Sequence, residues 1–357
     1  MTMRTEIFGT FGPACASEEI LKKMIENGMT GMRLNLSHTT LADSKDIVEN
    51  YHRASRSMGI KPQILIDMQG PELRVGELPE PLRLEQDEKI VFTTKGVSGN
   101  GESDDGMKCI SVAPEVVDAI EAGDEILLDD GRLFVQVEKL LEKEELAQEK
   151  EASGACKVWC ARVCRGGILH SHKSVKLIGK NINLPPLTDH DIANIMVAKE
   201  YGVTALMQPF VTNGTQLQEV RALLKEHGAQ DVQIYAKIEN QIGVEHLEEI
   251  LPEADVIIIA RGDLGNDMPL WELPKVQKKI EKACKKAGKP YIVVTQMLAS
   301  METNPVPTRA EVSDIYHAVY HGAWGVMLTG ETAVGSYPVE AIRYLANTAQ
   351  VAQTDRP

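Results

Sequence analysis

Charged and hydroxyl side chains gather where short apolar runs of this sequence end. Arg33-Leu-Asn35-Leu-Ser37-His38 closes one run and Asp67 the next; Lys237-Ile-Glu239-Asn240, Arg261-Gly262-Asp263, Thr295-Gln296 and Thr329-Gly330-Glu331 close later ones. Asp67, Glu239 and Asp263 offer the hard oxygens that Mg²⁺ or Mn²⁺ takes. Asn35 and Ser37, with Asp67, combine neutral and anionic oxygens suited to a monovalent cation. Arg33, Arg74, Lys173 and Lys237 supply positive charge for phosphates, and the two arginines can contact them bidentately. A helical turn starting at Gly262-Asp263 would present free N–H groups to a carboxylate. Cations, metal ligands and backbone donors around one anion are the parts of a phosphoryl-transfer site, where catalysis is mostly positioning and charge stabilisation. A single charged residue at a strand end is ordinarily a solvated loop residue; their recurrence on several strand ends argues for one shared mouth. No Walker A motif, kinase glycine loop or GxGxxG follows the first strand, so the common nucleotide folds are excluded.

The elements that must position these residues alternate in type. Apolar strands fall near residues 6, 31, 63, 204, 233, 255, 291 and 325, and an amphipathic helix follows each. Ser17, for example, caps EEILKKMIENG, with Ile20, Leu21, Met24 and Ile25 on one face and Gly28 as the stop. Helices are also predicted over Leu41–Met58, around Val244–Leu251 and over Leu270–Ala287. Eight such units predict an α/β fold, a closed (β/α)8 TIM barrel with its chemistry at the C-terminal strand ends. An open doubly wound sheet, the competing arrangement, would concentrate its ligand groups at one switch point. Between the third and fourth strands the texture changes. Residues 71–172 carry short alternating runs separated by turns such as NGESDDG, the pattern of a small all-β domain. The predicted organisation is therefore a barrel of residues 1–70 and 173–357, interrupted by a β-barrel lid domain over 71–172. The charged stretch 138–152 reads as a solvated arm.

Composition narrows the partners. The chain has 357 residues, 38 Lys plus Arg against 52 Asp plus Glu, and a net charge of −14. That balance argues against nucleic acid or an anionic membrane as partner, because either would meet like charge. Uninterrupted apolar runs reach about five residues, far below the ~18 of a membrane span. The N-terminus has no apolar signal core, and a cytoplasmic setting is expected. Cys156, Cys160 and Cys164 invite a metal reading. However, KVWCARV reads as a strand, where residues four apart lie about 13 Å from one another, so a structural role is favoured. His170 and His172 have no third ligand at metal spacing.

With these residues in view, the sequence resembles the pyruvate kinase family over essentially its whole length. TFGPAC (10–15), MRLNLSH (32–38), DMQGPELR (67–74), VTQML (294–298), PVPTRAE (305–311) and MLTGETA (327–333) resemble the family's motifs, in family order. KIEN (237–240) and ARGDLG (260–265) are identical to them. The resemblance implies transfer of a phosphoryl group from phosphoenolpyruvate to ADP, with Mg²⁺ or Mn²⁺ and K⁺ as cofactors. By that carry-over, Arg33 and Lys237 hold the transferring group, and Glu239 and Asp263 ligate the divalent ion. The backbone at Gly262 and Asp263, with the Thr295 hydroxyl, receives the substrate carboxylate. Asn35, Ser37, Asp67 and the Met68 carbonyl match the potassium site, and Glu72 points to potassium dependence. Arg74 and Lys173 meet nucleotide phosphates, and Thr329 and Glu331 match the proton relay to the enolate.

Departures from the family pattern stand at Gln69 for Lys, at Pro209 for a Ser beside the phosphate and at Asn266-Asp267 for Ile-Glu. SVKLIG (174–179), expected at the hinge returning from the lid, replaces GVNLPG. The sequence stops after the eighth helix, so control by sugar phosphates bound to the family's C-terminal domain is expected to be absent. A barrel-to-barrel homodimer is then the expected assembly. Two other readings use the same residues: a metal-dependent lyase acting on a pyruvate enolate without nucleotide, and a catalytically degenerate phosphoenolpyruvate-binding protein.

Overall fold

The computed structural model describes residues 4–37, 39–71, 73–94, 107–129, 131–141, 157–180, 182 and 184–356. Eight parallel strands close on themselves: β1 (Glu6–Thr10), β2 (Gly31–Asn35), β3 (Ile64–Asp67), β4 (Ala205–Gln208), β5 (Gln233–Ile238), β6 (Val256–Ala260), β7 (Tyr291–Val294) and β8 (Gly325–Met327). Each pairs with its sequence neighbours, and β8 returns to β1 with Ile7 opposite Val326. The expected TIM barrel is therefore the fold.

Strand side chains alternate between two faces, and the packing sorts them accordingly. Met32, Leu34, Ile64, Ile66, Ala236, Ile238, Ile257 and Ile259 pack outward among the helices. Phe8, Leu65, Met207, Tyr235, Val256, Ile258, Ile292, Val294 and Met327 fill the barrel interior. By that parity Arg33, Asp67 and Lys237 all point inward, and being near C-terminal strand ends they share one mouth. Phe8 fits inside because its neighbours are small. A Cβ on Gly31 would sit 2.6 Å from the Phe8 ring, and one on Gly325 3.1 Å.

Helix starts carry capping side chains, with Ser17 at the place read in the sequence. Ser17 accepts the Ile20 N–H at the head of Glu18–Glu26, and Thr188 and Thr308 each complete a capping box. Three predicted helices differ in their bounds. Leu41–Met58 is helical over Lys45–Ser57, and Leu270–Ala287 over Leu273–Ala287 with Pro in its first turn. The one around Val244–Leu251 is two short helices, Gln241–Glu245 and Leu247–Glu253, parted at His246, whose Nδ1 lies 2.9 Å from the Thr212 carbonyl. Among the described residues, no helix is long and apolar enough to cross a membrane.

The chain between Pro71 and Pro185 forms a second compact unit. Its main sheet has six strands in the order Val175–Leu177, Glu125–Leu128, Leu133–Leu140, Trp159–Arg165, Lys89–Thr93, Lys108–Ser111. Leu82–Leu84 pairs separately with Gly167–Leu169. Ile90, Phe92, Ile110, Ile126, Val135 and Val163 form its core. Residues 74 and 75 bridge the two edges of this sheet, Arg74 pairing with Ser174 and Val75 with Val112, and the Gly76 N–H donates to the Ser111 carbonyl at 2.8 Å. Three details differ from the sequence reading. A six-residue helix, Pro114–Ala119, interrupts the strands, and the Trp159 indole donates to its Val117 carbonyl at 3.0 Å. Val175–Leu177 pairs antiparallel with Glu125–Leu128, so SVKLIG is a sheet strand and not a hinge. For the same reason the return to the barrel falls at Pro185 instead of residue 173. Cys160 and Cys164 share the strand Trp159–Arg165. Cys156, Glu72 and residues 142–152 of the charged arm lie outside the described residues.

Candidate active site

At the mouth, β2, β3 and β5 bring four charged side chains into one chain of ion pairs. Asp67, the last residue of β3, is 2% exposed and sits at its centre. The Arg33 guanidinium reaches Asp67 Oδ2 through Nε at 2.8 Å and Nη2 at 2.6 Å. Lys237 Nζ lies 3.1 Å from Asp67 Oδ1 and 2.8 Å from Glu239 Oε1. The Phe210 N–H donates to the other Glu239 oxygen at 2.8 Å. Phe210 can aim that amide because its backbone is left-handed, with φ +53°. Register explains the meeting: Asn35 stands opposite Asp67, and Asp67 opposite Met207, so the polar ends lie level.

Burial sets the electrostatics. Burial alone would lower the Lys237 pKa, but the Asp67 and Glu239 carboxylates outweigh this and hold it above the usual lysine value. Burial would likewise raise Asp67, and Lys237 and Arg33 overcome it, holding the carboxyl below its ordinary range. Glu239 goes the other way. Burial raises it, the neighbouring Asp263 carboxylate adds to the rise, and Lys237 only partly opposes it. A buried carboxylate beside a second one carries negative charge without full compensation. This fits a divalent cation held by Glu239 and Asp263, with its remaining oxygens supplied by a ligand. Among the described residues, no group of three or more His, Cys, Asp or Glu forms a self-sufficient metal site.

The remaining candidates fall into smaller groups. The Gly262 N–H donates to Thr295 Oγ1 at 2.8 Å, joining the ends of β6 and β7. Thr295 and Gln296 are both left-handed, at φ +74° and +52°, an unusual state for a β-branched residue. Arg261 braces that turn by donating to the Thr295 carbonyl at 2.7 Å while pairing with Asp314 at 2.7 Å. Past β8, buried Glu331 accepts the Leu298 N–H at 3.0 Å and the Thr329 N–H at 2.7 Å, with the Thr329 hydroxyl at 3.3 Å. Asn35 and Ser37 are joined, the Ser37 hydroxyl donating to Asn35 Oδ1 at 2.9 Å. Met68 is buried and donates its N–H to the Met207 carbonyl at 3.2 Å. Two amide or hydroxyl oxygens, a carboxylate and a carbonyl are a donor set that fits a monovalent cation. Arg74 and Lys173 belong to the inserted unit. Arg74 donates to the His172 carbonyl at 2.7 Å, and Lys173 pairs with buried Asp129 at 2.9 Å.

Some participants went unread in the sequence. Thr10 accepts from Arg33 Nη1 at 3.4 Å and donates to the Leu328 carbonyl at 2.8 Å, tying β1 to the site. The Phe210 amide carries no side-chain signal at all. Asp67, read as a cation ligand, is also the anchor of both site cations.

Comparison with known proteins agrees with this geometry. A family model described as pyruvate kinase, barrel domain, matches residues 2–342. The pyruvate kinase of Geobacillus stearothermophilus is 38% identical over 351 residues, which are 98% of this chain and 57% of that protein. That of Bacillus licheniformis is 37% identical over 97% of this chain and 56% of its own length. The chain thus spans a little over half the length of these curated relatives. A crystal structure of a pyruvate kinase from Cryptosporidium parvum superposes with a TM-score of 0.87 at 31% identity, covering 99% of this chain and 70% of that one. By its barrel, its inserted β unit and these matches, the chain belongs to the pyruvate kinase family.

Proposed function

We propose that this protein transfers the phosphoryl group of phosphoenolpyruvate to ADP, giving pyruvate and ATP. The observation that carries the reading is the buried chain Arg33–Asp67–Lys237–Glu239, which sets two cations side by side at the barrel mouth. With Asp263 included, these five side chains carry one negative charge in excess. Mg²⁺ or Mn²⁺ on Glu239 and Asp263 would supply Lewis-acid charge neutralisation there, and K⁺ at Asn35, Ser37, Asp67 and the Met68 carbonyl would add to it.

In this reading Arg33 and Lys237 bind the phosphoryl oxygens, and Lys237 stabilises charge as it moves to the enolate oxygen. The Gly262 and Asp263 amides and the Thr295 hydroxyl orient the substrate carboxylate. Thr329, aligned by buried Glu331, delivers the proton to the enolate carbon. Arg74 and Lys173 of the inserted unit bind the nucleotide phosphates. We include in the proposal a cytoplasmic setting and a homodimer through the barrel. For the dimer, Leu270 and Trp271 are supporting features, being 69% and 81% exposed side by side.

The test is pyruvate formation in a coupled assay with several nucleoside diphosphates, Mg²⁺ and K⁺. Turnover that requires both ions is expected. No turnover above background with any acceptor refutes the proposal, and phosphoenolpyruvate binding without turnover would select the degenerate reading instead.

A further inference from the structure

The helix Asp189–Val197 carries three polar side chains, on His190, Asp191 and Asn194, that bond the loops following β2 and β3. Asp191 is completely buried. Its Oδ2 closes the capping box, accepting the Thr188 N–H at 2.9 Å and hydroxyl at 2.8 Å. Capping does not account for the rest. Oδ1 accepts the Gln69 N–H at 2.8 Å and Oδ2 also accepts the Gly70 N–H at 3.0 Å, from more than a hundred residues earlier in the chain. Beside it, His190 Nε2 lies 2.9 Å from the Leu36 carbonyl and 3.1 Å from that of Thr39. Both partners are acceptors, so that nitrogen carries the proton. Asn194 accepts the Leu41 N–H at 2.9 Å.

The two loops gripped this way, 36–41 and 69–70, directly follow Asn35 at the end of β2 and Asp67-Met68 at the end of β3. They are also tied to each other, the Leu36 N–H donating to the Asp67 carbonyl at 2.9 Å. Gly70 is left-handed at φ +66°, and a Cβ there would come within 2.5 Å of Pro209, so the turn has one backbone path.

We propose that Asp191 is a positioning residue for the monovalent-cation corner, with His190 as its second grip. The proposal rests on the reading of Asn35, Ser37, Asp67 and Met68 as cation donors. Two converging amide donors require a carboxylate. Asn at 191 would turn an NH₂ group toward one of them and release the loop that carries the Met68 carbonyl and the Asp67 backbone.

The experiment uses Tl⁺ as a potassium surrogate, with its binding followed by thallium NMR on the full chain, and hydrogen exchange of the 69 and 70 amides. For Asp191→Asn, Tl⁺ affinity is expected to fall at least tenfold and both amides to lose protection. Mn²⁺ binding, read by electron paramagnetic resonance, should be unchanged. Thr188→Ala is the control: it weakens the same cap and lowers the Tm but should leave Tl⁺ affinity and amide protection as they are. His190→Ala, a half-buried position, should also weaken Tl⁺ and serves if the Asn variant does not fold. Tl⁺ affinity unchanged in both the 191 and 190 variants, or lost equally in Thr188→Ala, overturns the proposal. A wild type that binds no Tl⁺ removes the cation corner and the proposal with it. A wild type that binds Tl⁺ yet forms no pyruvate sinks only the proposed reaction.

Discussion

Replacing Lys237 by Met removes the amine that lies 3.1 Å from Asp67 and 2.8 Å from Glu239 and leaves two carboxylates in a nearly dry pocket. Breaking a buried ion pair by deleting one partner costs about 3–5 kcal/mol. Arg33 stays on Asp67, and Glu239 can relieve the rest by taking up a proton, so a net loss of roughly 2–4 kcal/mol near pH 8 follows from the same source. At the roughly 2–4 °C per kcal/mol typical of domains of about 150–250 residues, the Tm should drop by roughly 4–16 °C. The loss depends on pH. Burial already raises Glu239 above its unfolded value of 4.5, and removing Lys237 raises it further. A group whose folded pKa is raised contributes stability that is complete below the unfolded pKa and is lost as pH rises through the folded one. The variant's deficit should therefore shrink towards pH 5 and grow through neutrality into alkaline solution. Catalytically, one charge-stabilising donor is worth about 10²–10³ in kcat, so a drop of at least that order is expected in the pyruvate assay. Calorimetric scans from pH 5 to 9 test the first claim, and saturating-substrate rates test the second. A Tm deficit that is flat across that range, or a kcat within tenfold of wild type, would refute the charge argument.

Glu239→Gln keeps an acceptor for the Phe210 amide but removes the anion, so Mn²⁺ affinity should fall at least tenfold while the barrel stays folded, read by electron paramagnetic resonance and circular dichroism. In the wild type, Mn²⁺ affinity should rise with pH above the ordinary carboxylate range, since burial makes Glu239 hold its proton. Thr295→Gly relieves a left-handed β-branched residue costing about 1–3 kcal/mol but deletes the hydroxyl on the Gly262 amide. Denaturant stability should hold or rise while oxalate affinity falls, and Thr295→Ser should restore binding. Gly31→Ala drives a methyl into the Phe8 ring at 2.6 Å; urea titration should show a loss of about 1–3 kcal/mol, partly recovered by Phe8→Leu.

Much of this was legible because it depends on local pattern. The eight strands are written as short apolar runs between amphipathic helices, so Arg33, Asp67 and Lys237 could be assigned to one mouth from their places at strand ends. Their pairing could not. A carboxylate ending a strand serves equally as metal ligand or ion-pair partner, and only distance shows that Asp67 anchors both cations. The Asp191 grip joins segments remote in sequence through backbone amides that have no side-chain signature. Val175–Leu177, within the stretch read as a hinge, is a strand the sequence does not signal, because three residues are too few for a period-two pattern. Pro114–Ala119 was missed because six residues make less than two helical turns.

The inward parity of the mouth residues has a consequence for how such a chain can change over time. Deleting one residue within β2, β3 or β5 would swing every later side chain of that strand to the helix side and disarm the pocket. Lengthening the chain beyond a strand's last paired residue leaves the ladder in step, and the cost of a larger excursion grows only with the logarithm of its length. Insertions and deletions among relatives should therefore cluster after the strand ends, as the whole excursion between β3 and β4 already does, and spare the ladders themselves.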